Sequence, residues 1–283
     1  MRFRFLPSQK HRRCTAGDLE GILLLSDKYC LETLYNQVVN IFSKDWPSEL
    51  GLWDQNEDEI RLLVKHREQK RYYMDLDLPE PCLVIRMANS CNMNHILPAA
   101  FYHLSCIPLS ANSTLNNILS VTNSNISQDT IDVHVAYLGF GGRTASYAFL
   151  STEDWQRLKQ GKEAIQIFFS NVCDEAFRIA LTHCVHRRAG DLVQADRCVT
   201  ALHLVAGAYK VEVSLAHDPL GSMRFSGDRQ LPPPLCLHCF THFRAELDGQ
   251  RERLWDQLPG FFGLPKNELE SDNKGMLYFS DGN

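Results

Sequence analysis

Apolar residues recur at helical spacing in the first part of the chain. One apolar stripe extends from Leu19 to Leu25, and the pattern ends near Tyr29. A second stripe runs from Leu31 to Phe42 in steps of three and four residues, until Pro47 prevents further helical pairing. Two amphipathic helices in succession predict a helical hairpin whose apolar faces pack together.

The same pattern recurs further along the chain. Aligning Tyr29 with Cys91, an offset of 62 residues, also places Leu34 on Ile96. One apolar face then ends at Cys91 and another begins at Ile96, with Pro98 accommodated in the first turn of its helix. The sequence therefore predicts a second helical hairpin, although two copies are fewer than a solenoid needs.

The remaining sequence predicts further helices and one short β-hairpin. Helices are expected over about 55–69, after the capping segment 151–154, and from about Cys239 to a stop at Pro259-Gly260, with Gly161 as a helix break. Residues 199–215 fit either a helix or a strand. Alternating residues at 131–137, facing Ser146–Phe149, indicate a small β-hairpin near 131–149. The predicted fold is mainly α, an irregular multi-helix domain of packed helical hairpins.

Five segments follow from these patterns. Residues 1–45 hold the first hairpin, and residues 46–109 form a helical region with the second. The stretch 110–143 is rich in Asn and Ser and is predicted to be a mobile loop, because its scattered apolar residues bury too little surface to offset ordering. Residues 144–264 form a C-terminal helical region, and residues 265–283 a disordered tail.

Composition narrows the class of partner. The 283 residues are 44% hydrophobic and 22% charged, as in globular proteins, and the net charge of −5 gives no long-range attraction to nucleic acid or anionic membranes. No stretch approaches the roughly 18 apolar residues of a membrane span. The ten cysteines are widely spread, which favours reduced thiols and a cytoplasmic or nuclear protein.

The spacing Cys236-x-x-Cys239, with His242 one turn later, is the strongest chemical signal. Two thiolates separated by two residues can bind one tetrahedral zinc ion with little strain, and His242 is a candidate third ligand. The chain has no nucleophile elbow of the Gly-x-Ser-x-Gly type and no His-Glu-x-x-His motif. A second ligand pair is required, and the nearest candidates, His183, Cys184 and His186, lie far off in sequence and form no local ligand pair. Cys236 and Cys239 therefore either bind zinc or pack against Trp255 at the start of a helix.

The order Leu-x-x-Ser-Asp-Lys-Tyr-x-x-x-x-Leu, which contains Asp27 and Tyr29 and ends at Leu34, resembles the helix pair that closes a BTB/POZ domain. The chain as a whole resembles basidiomycete fungal BTB proteins. The further segments that carry this resemblance are Trp46-Pro47, Leu52-Trp53-Asp54, Ile96 to Tyr102, Gly142 to Ala145, Trp255 to Pro259 and Phe262-Gly263-Leu264.

The resemblance implies a protein that dimerises through its BTB domain or recruits a cullin scaffold, with Asp27, Tyr29 and Leu34 as the matching partner-binding residues. Too few residues precede Asp18 to form the strand-rich half of a BTB domain, so we expect an N-terminally truncated family member. The first hypothesis is a non-enzymatic, adaptor-like interaction module. The alternative is a zinc-stabilised domain or hydrolytic enzyme that uses Cys236, Cys239 and His242.

Overall fold

The fold is known from a computed structural model, which describes residues 16–68, 80–107, 109, 145–216, 218–224 and 235–265. Ten α-helices and short 3-10 helices account for most of these residues, so the predicted mainly α class is confirmed. The chain divides into two compact units. Unit 1 comprises Met1–Ile96 and Leu109–Ser151, and unit 2 comprises Leu97–Pro108 and Thr152–Asn283.

Unit 1 contains four α-helices: α1 (Ala16–Lys28), α2 (Glu32–Asp45), α3 (Leu50–Glu68) and α4 (Pro81–Ser90). The first two pack as the predicted hairpin, because apolar residues on one face of each helix, such as Leu23 and Val38, are fully buried. Helix α4 begins at Pro81, where the Glu80 carboxylate accepts hydrogen bonds from the amides of Cys82 and Leu83.

The turns that follow α1 and α4 share one backbone geometry. We call residues 25–31 the first corner and residues 87–93 the second corner. Cys30 and Asn92 occupy equivalent positions at the 62-residue offset, with φ of +52° and +55°. In the first corner the Leu31 amide donates a 2.8 Å hydrogen bond to the Ser26 carbonyl, five residues earlier. In the second corner the Met93 amide donates one of 3.0 Å to the Ala88 carbonyl. Both helices therefore end in a Schellman motif with a non-glycine residue in the left-handed region.

The two corners differ in burial. Three side chains of the first corner are 49–61% exposed, whereas the equivalent side chains of the second corner are at most 2% exposed. The equivalent pairs are Leu25 with Met87, Tyr29 with Cys91, and Leu31 with Met93. Part of the cover of the second corner is α2, whose Tyr35 hydroxyl donates a 2.5 Å hydrogen bond to the Cys91 carbonyl. The first corner thus presents apolar side chains that the second keeps from solvent.

Unit 2 contains α5 (Leu97–Cys106), α6 (Thr152–Thr182), α7 (Val185–Arg188), α8 (Leu192–Ala216), α9 (Pro219–Met223) and α10 (Leu237–Phe261). The long helices α6 and α10 make its most extensive helix–helix contact. Gly161 does not break α6, contrary to the sequence prediction. It lies against the buried ring of Phe262, so the missing side chain makes room for close packing.

Two other local predictions meet different outcomes. Residues 199–215, left open between helix and strand, lie within α8, and α8 joins α6 in the core through buried residues such as Leu202. The final helix continues through Pro259 to Phe261 rather than stopping at Pro259. Gly263, with φ of +59°, ends it in a further Schellman motif, in which the Leu264 amide donates to the Pro259 carbonyl over 2.8 Å.

The predicted β-hairpin near 131–149 is wrong in its second strand. Tyr147–Phe149 is a 3-10 helix. The Phe149 amide donates a hydrogen bond to the Ser146 carbonyl, and the Ser146 amide donates one to the Glu80 carboxylate. These backbone groups therefore need no partner on a neighbouring strand. The first strand and the loop 110–143 lie outside the described residues, as does the tail 265–283 apart from Pro265. None of the described helices combines the length and apolar character required to cross a membrane.

Candidate metal centre

Four cysteine side chains converge in unit 2. The Sγ atoms of Cys184, Cys198, Cys236 and Cys239 all lie within 4.8 Å of one another, and we call this group the thiol centre. Its members are free thiols rather than disulfides. Four sulfur atoms at such distances are arranged as a single metal ion would require, since a tetrahedral site of four cysteines places every sulfur about 2.3 Å from the metal.

Three separate segments of the chain supply these thiols. Cys184 precedes α7 as its N-cap residue, in the short connection after α6. Cys198 lies in the second turn of α8. Cys236 is the N-cap of α10, with an extended backbone, and Cys239 follows in the first turn of that helix. The centre therefore joins the beginnings of three helices.

The centre is largely shielded from water. Cys184, Cys198 and Cys239 are at most 1% exposed, whereas Cys236 has intermediate exposure. Burial disfavours a charged thiolate, so it raises the pKa of Cys198 to about 11 and also raises the pKa of Cys239. In the absence of a cation, these two thiols are therefore protonated at neutral pH.

Cys236 differs electrostatically from these neighbours. Burial again opposes ionisation, but hydrogen bonds from the other cysteines outweigh it and lower the pKa of Cys236. One of these bonds runs from the Cys239 amide to the Cys236 sulfur over 3.4 Å, the usual way in which a helix N-terminus stabilises a thiolate. One thiolate-prone sulfur among three buried thiols is a set of donors suited to a soft divalent cation.

The predicted ligands are only partly brought together. Cys236 and Cys239 are neighbours in the thiol centre, as their spacing suggested, but His242 is not one of its members. The His242 ring instead stacks on the His183 ring, with centroids 3.8 Å apart, and the Nδ1 atom of His183 lies 3.2 Å from an Arg188 guanidinium nitrogen. Partial burial and these neighbouring positive charges lower the pKa of His242.

Sequence reasoning set aside Cys184 and missed Cys198, the other two cysteines of the centre. Cys184 lies far from Cys236 along the chain and forms no local ligand pair, and Cys198 carries no ligand spacing at all. The only signal that could have found them is the predicted helix packing, since both lie near the beginnings of helices in the same predicted helical region. Ligand pairs of regular spacing identify compact zinc fingers but not a centre assembled from distant segments.

The predicted partner-binding residues lie at or beside the first corner of unit 1. Asp27 and Tyr29 are exposed, and Leu34 on α2 is half-buried. The Lys28 ammonium nitrogen lies 5.4 Å from the centroid of the Tyr29 ring, within the range of a cation–π contact. An aromatic ring, a carboxylate and an ammonium group are thus accessible together at one turn.

Comparison with known proteins adds no family assignment: no family model, curated protein or solved structure matches the chain. The chemistry of the thiol centre and the exposure of the first corner are therefore the grounds for a functional argument.

Proposed function

We propose that the chain is a non-enzymatic helical module in which a structural zinc ion, bound by the four cysteines of the thiol centre, stabilises unit 2. The convergence of four sulfur atoms within 4.8 Å carries this proposal. Four protein ligands complete the tetrahedral shell of zinc, so no position remains for the water or substrate that a hydrolytic zinc site needs. The hydrolytic alternative loses its support for that reason.

Zinc is the metal that this donor set favours. Soft thiolate ligands in tetrahedral geometry select zinc or iron among the common divalent ions, and closed sites of four cysteines are typical of structural zinc. Zinc binding would also offset the unfavourable electrostatics of the site. Ionising buried thiols is costly, as the raised pKa values of Cys198 and Cys239 show, and a divalent cation at the centre reverses that cost.

The structural role follows from the three segments that the centre joins. The unfolded chain has no preformed site for the ion, so the ion binds only when these distant segments are brought together, and its binding free energy becomes folding free energy. Protons compete with zinc for thiolates, so we expect zinc affinity to fall as the pH falls.

The metal content of matched cysteine variants tests this proposal. Cys198→Ala removes a ligand from α8, and Cys173→Ala removes an equally buried cysteine from α6, outside the thiol centre. After chelator-free purification of the full chain and desalting, we expect about one zinc per chain in the wild type and in Cys173→Ala, and a large loss in Cys198→Ala. Cobalt substitution should give the intense visible absorption of tetrahedral thiolate coordination in the same two proteins.

The same measurement of metal content can contradict the proposed zinc site. Zinc below about half an equivalent in the wild type, with no other metal present, would refute a metal centre, since a structural site binds its ion tightly. Iron in place of zinc would preserve the centre and change its metal. Equal metal content in Cys198→Ala and wild type would place the ion elsewhere.

We further propose that the first corner of unit 1 docks another protein. The observation in its favour is the contrast between the two corners: Leu25, Tyr29 and Leu31 are exposed, whereas the equivalent residues of the second corner are buried. An exposed aromatic ring between two leucines is the kind of anchor that carries most interface energy. The resemblance to fungal BTB proteins suggests a cullin scaffold or a second copy of the chain as the partner.

Binding measurements on a matched pair of variants test the docking surface. Tyr29→Ala removes the aromatic anchor, and Leu62→Ala removes a comparably exposed side chain from α3 of the same unit. Self-association is measured by light scattering, and cullin binding by pull-down with purified scaffold. We expect Tyr29→Ala to weaken whichever association occurs by about 2 kcal/mol, roughly thirtyfold in Kd, and Leu62→Ala to leave it unchanged. A wild-type chain that neither self-associates nor binds cullin would contradict the proposal.

A further inference from the structure

We infer that Cys236 is the residue at which peroxide opens the thiol centre: its sulfur is oxidised first and then forms a disulfide with Cys239, so that the metal loses two ligands and dissociates. This inference rests on the proposed zinc site and adds that oxidation determines whether the zinc ion stays bound. The centre would then stabilise unit 2 under reducing conditions and release its metal under oxidising conditions.

Access to solvent distinguishes Cys236 from the other members of the centre. Its exposure is intermediate, while Cys184, Cys198 and Cys239 are at most 1% exposed. A small oxidant in solution therefore meets the Cys236 sulfur before it meets the others. The same sulfur lies within 4.8 Å of the sulfurs of all three neighbouring cysteines, so an oxidised Cys236 has a reaction partner beside it.

Among these neighbours, Cys239 needs the least backbone movement to form a disulfide. Both residues belong to the beginning of α10, and the Cys239 amide already points at the Cys236 sulfur over 3.4 Å. Residues three apart in a helical turn have Cα atoms about 5–6 Å apart, within the range that a disulfide spans. Cys184 and Cys198 belong to other segments, so a disulfide from Cys236 to either of them would link α10 to another part of the chain.

The reaction balances with hydrogen peroxide as the oxidant. The Cys236 thiolate attacks one peroxide oxygen, the O–O bond breaks, and the departing hydroxide takes a proton to become water, leaving a sulfenic acid on Cys236. The Cys239 thiolate then attacks that sulfur. The S–S bond forms, the S–O bond breaks, and a second hydroxide leaves as water after protonation. Two thiolates are thus oxidised to one disulfide while peroxide is reduced by two electrons to two water molecules.

The metal is released as a consequence of this reaction. A disulfide sulfur is a far weaker ligand than a thiolate, so only Cys184 and Cys198 would continue to hold the ion, and a two-ligand site retains zinc poorly. A dithiol reductant regenerates both thiolates and allows zinc to bind again. The device is therefore reversible as long as oxidation stops at the disulfide.

The experiment treats the zinc-loaded full chain with hydrogen peroxide and follows two quantities in parallel. Released zinc is measured with a chromogenic chelator, and the oxidised cysteines are identified by alkylation, digestion and mass spectrometry. We expect zinc release to accompany a Cys236–Cys239 disulfide and both changes to be reversed by dithiothreitol. The Cys30→Ser variant, which lacks an exposed cysteine of unit 1, should release zinc as the wild type does.

The outcomes separate this inference from the proposed zinc site. Zinc that is bound at the start and stays bound while Cys30 is oxidised would overturn the inference and leave the zinc site intact. A first disulfide that omits Cys236 would also overturn it. Absence of zinc before peroxide is added would refute the proposed function and, with it, metal release. The mapping uses the unmodified chain, so the result does not depend on a variant that fails to fold.

Discussion

Gly161 of α6 lies against the Phe262 ring just after α10, and replacing this glycine with alanine tests the packing of unit 2. A Cβ atom at this position would lie 2.9 Å from the Cγ atom of Phe262 and nearer still to Cδ1 and Cε1. Nonbonded carbon atoms prefer separations of about 3.5–4.0 Å, so the ring must move. Phe262 is fully buried and stacks on Phe101, with ring centroids 5.3 Å apart, so moving the ring disturbs a packed neighbour.

The expected loss of stability follows from two opposing effects. Overpacking a buried site costs about 1–3 kcal/mol, and expelling a phenylalanine ring from the core altogether would cost about 3–5 kcal/mol. Alanine in place of glycine inside a helix contributes about 1 kcal/mol in the other direction. We therefore expect Gly161→Ala to lower the free energy of unfolding by about 1 kcal/mol, or by about 2–4 kcal/mol if the Phe262 ring is displaced completely.

Gly249→Ala is the matched control, because Gly249 lies inside α10 and nothing approaches its added Cβ within 4 Å. That variant should be as stable as the wild type or more stable by up to about 1 kcal/mol. Urea denaturation followed by circular dichroism measures both variants, and comparison of midpoints is valid where the slopes agree. The reasoning fails if Gly161→Ala is at least as stable as Gly249→Ala.

Two further predictions concern single polar side chains, one half-buried and one fully buried. Burial lowers the pKa of His95, whose Nε2 atom lies 2.8 Å from the Ser43 hydroxyl. In the unfolded chain this side chain has its ordinary pKa of 6.5. The neutral ring therefore contributes its full stability above that pH, and the contribution is lost as the pH falls towards the lowered pKa of the folded protein. His95→Gln should flatten this dependence in urea titrations, and an unchanged pH profile would contradict the assignment. Tyr102→Phe removes a buried hydroxyl that donates to the Asp218 carboxylate over 2.6 Å and accepts from the Leu220 amide over 2.8 Å. It should cost about 1–3 kcal/mol, and an unshifted urea midpoint would show that water replaces the hydroxyl.

Helical periodicity was sufficient to predict the fold class and the repeated corner. The spacing of apolar residues depends on which face of a helix is buried, so it predicted α1, α2 and α4 and the 62-residue offset that relates the corners. It failed at Gly161, because a glycine that breaks a helix and a glycine that admits a neighbouring ring look alike in sequence. It failed at Ser146–Phe149 as well, where a distant carboxylate on Glu80 satisfies a backbone amide.

The candidate site was predictable only where its ligands are close in sequence. Cys236 and Cys239 could be paired because two residues separate them, and that spacing requires no knowledge of the fold. Cys184 and Cys198 join the centre only through the packing of α6, α8 and α10, which a pattern of apolar residues does not specify in three dimensions. His242 was proposed for its proximity in sequence, but one turn of helix directs its ring to His183 instead.

Different forces stabilise the two ends of α10. A helix of 25 residues is about 37 Å long, so its ends are too far apart to share contacts. The C-terminal end is fixed by aromatic packing, where Phe262 lies against Gly161 and Phe101. At the N-terminal end Leu237 is exposed, Leu235 and Phe243 are buried, and four thiols converge beside them. We propose that a metal ion bound by these thiols would fix this end of α10, and we expect its removal to loosen the beginnings of α7, α8 and α10 while the Phe262 end remains packed.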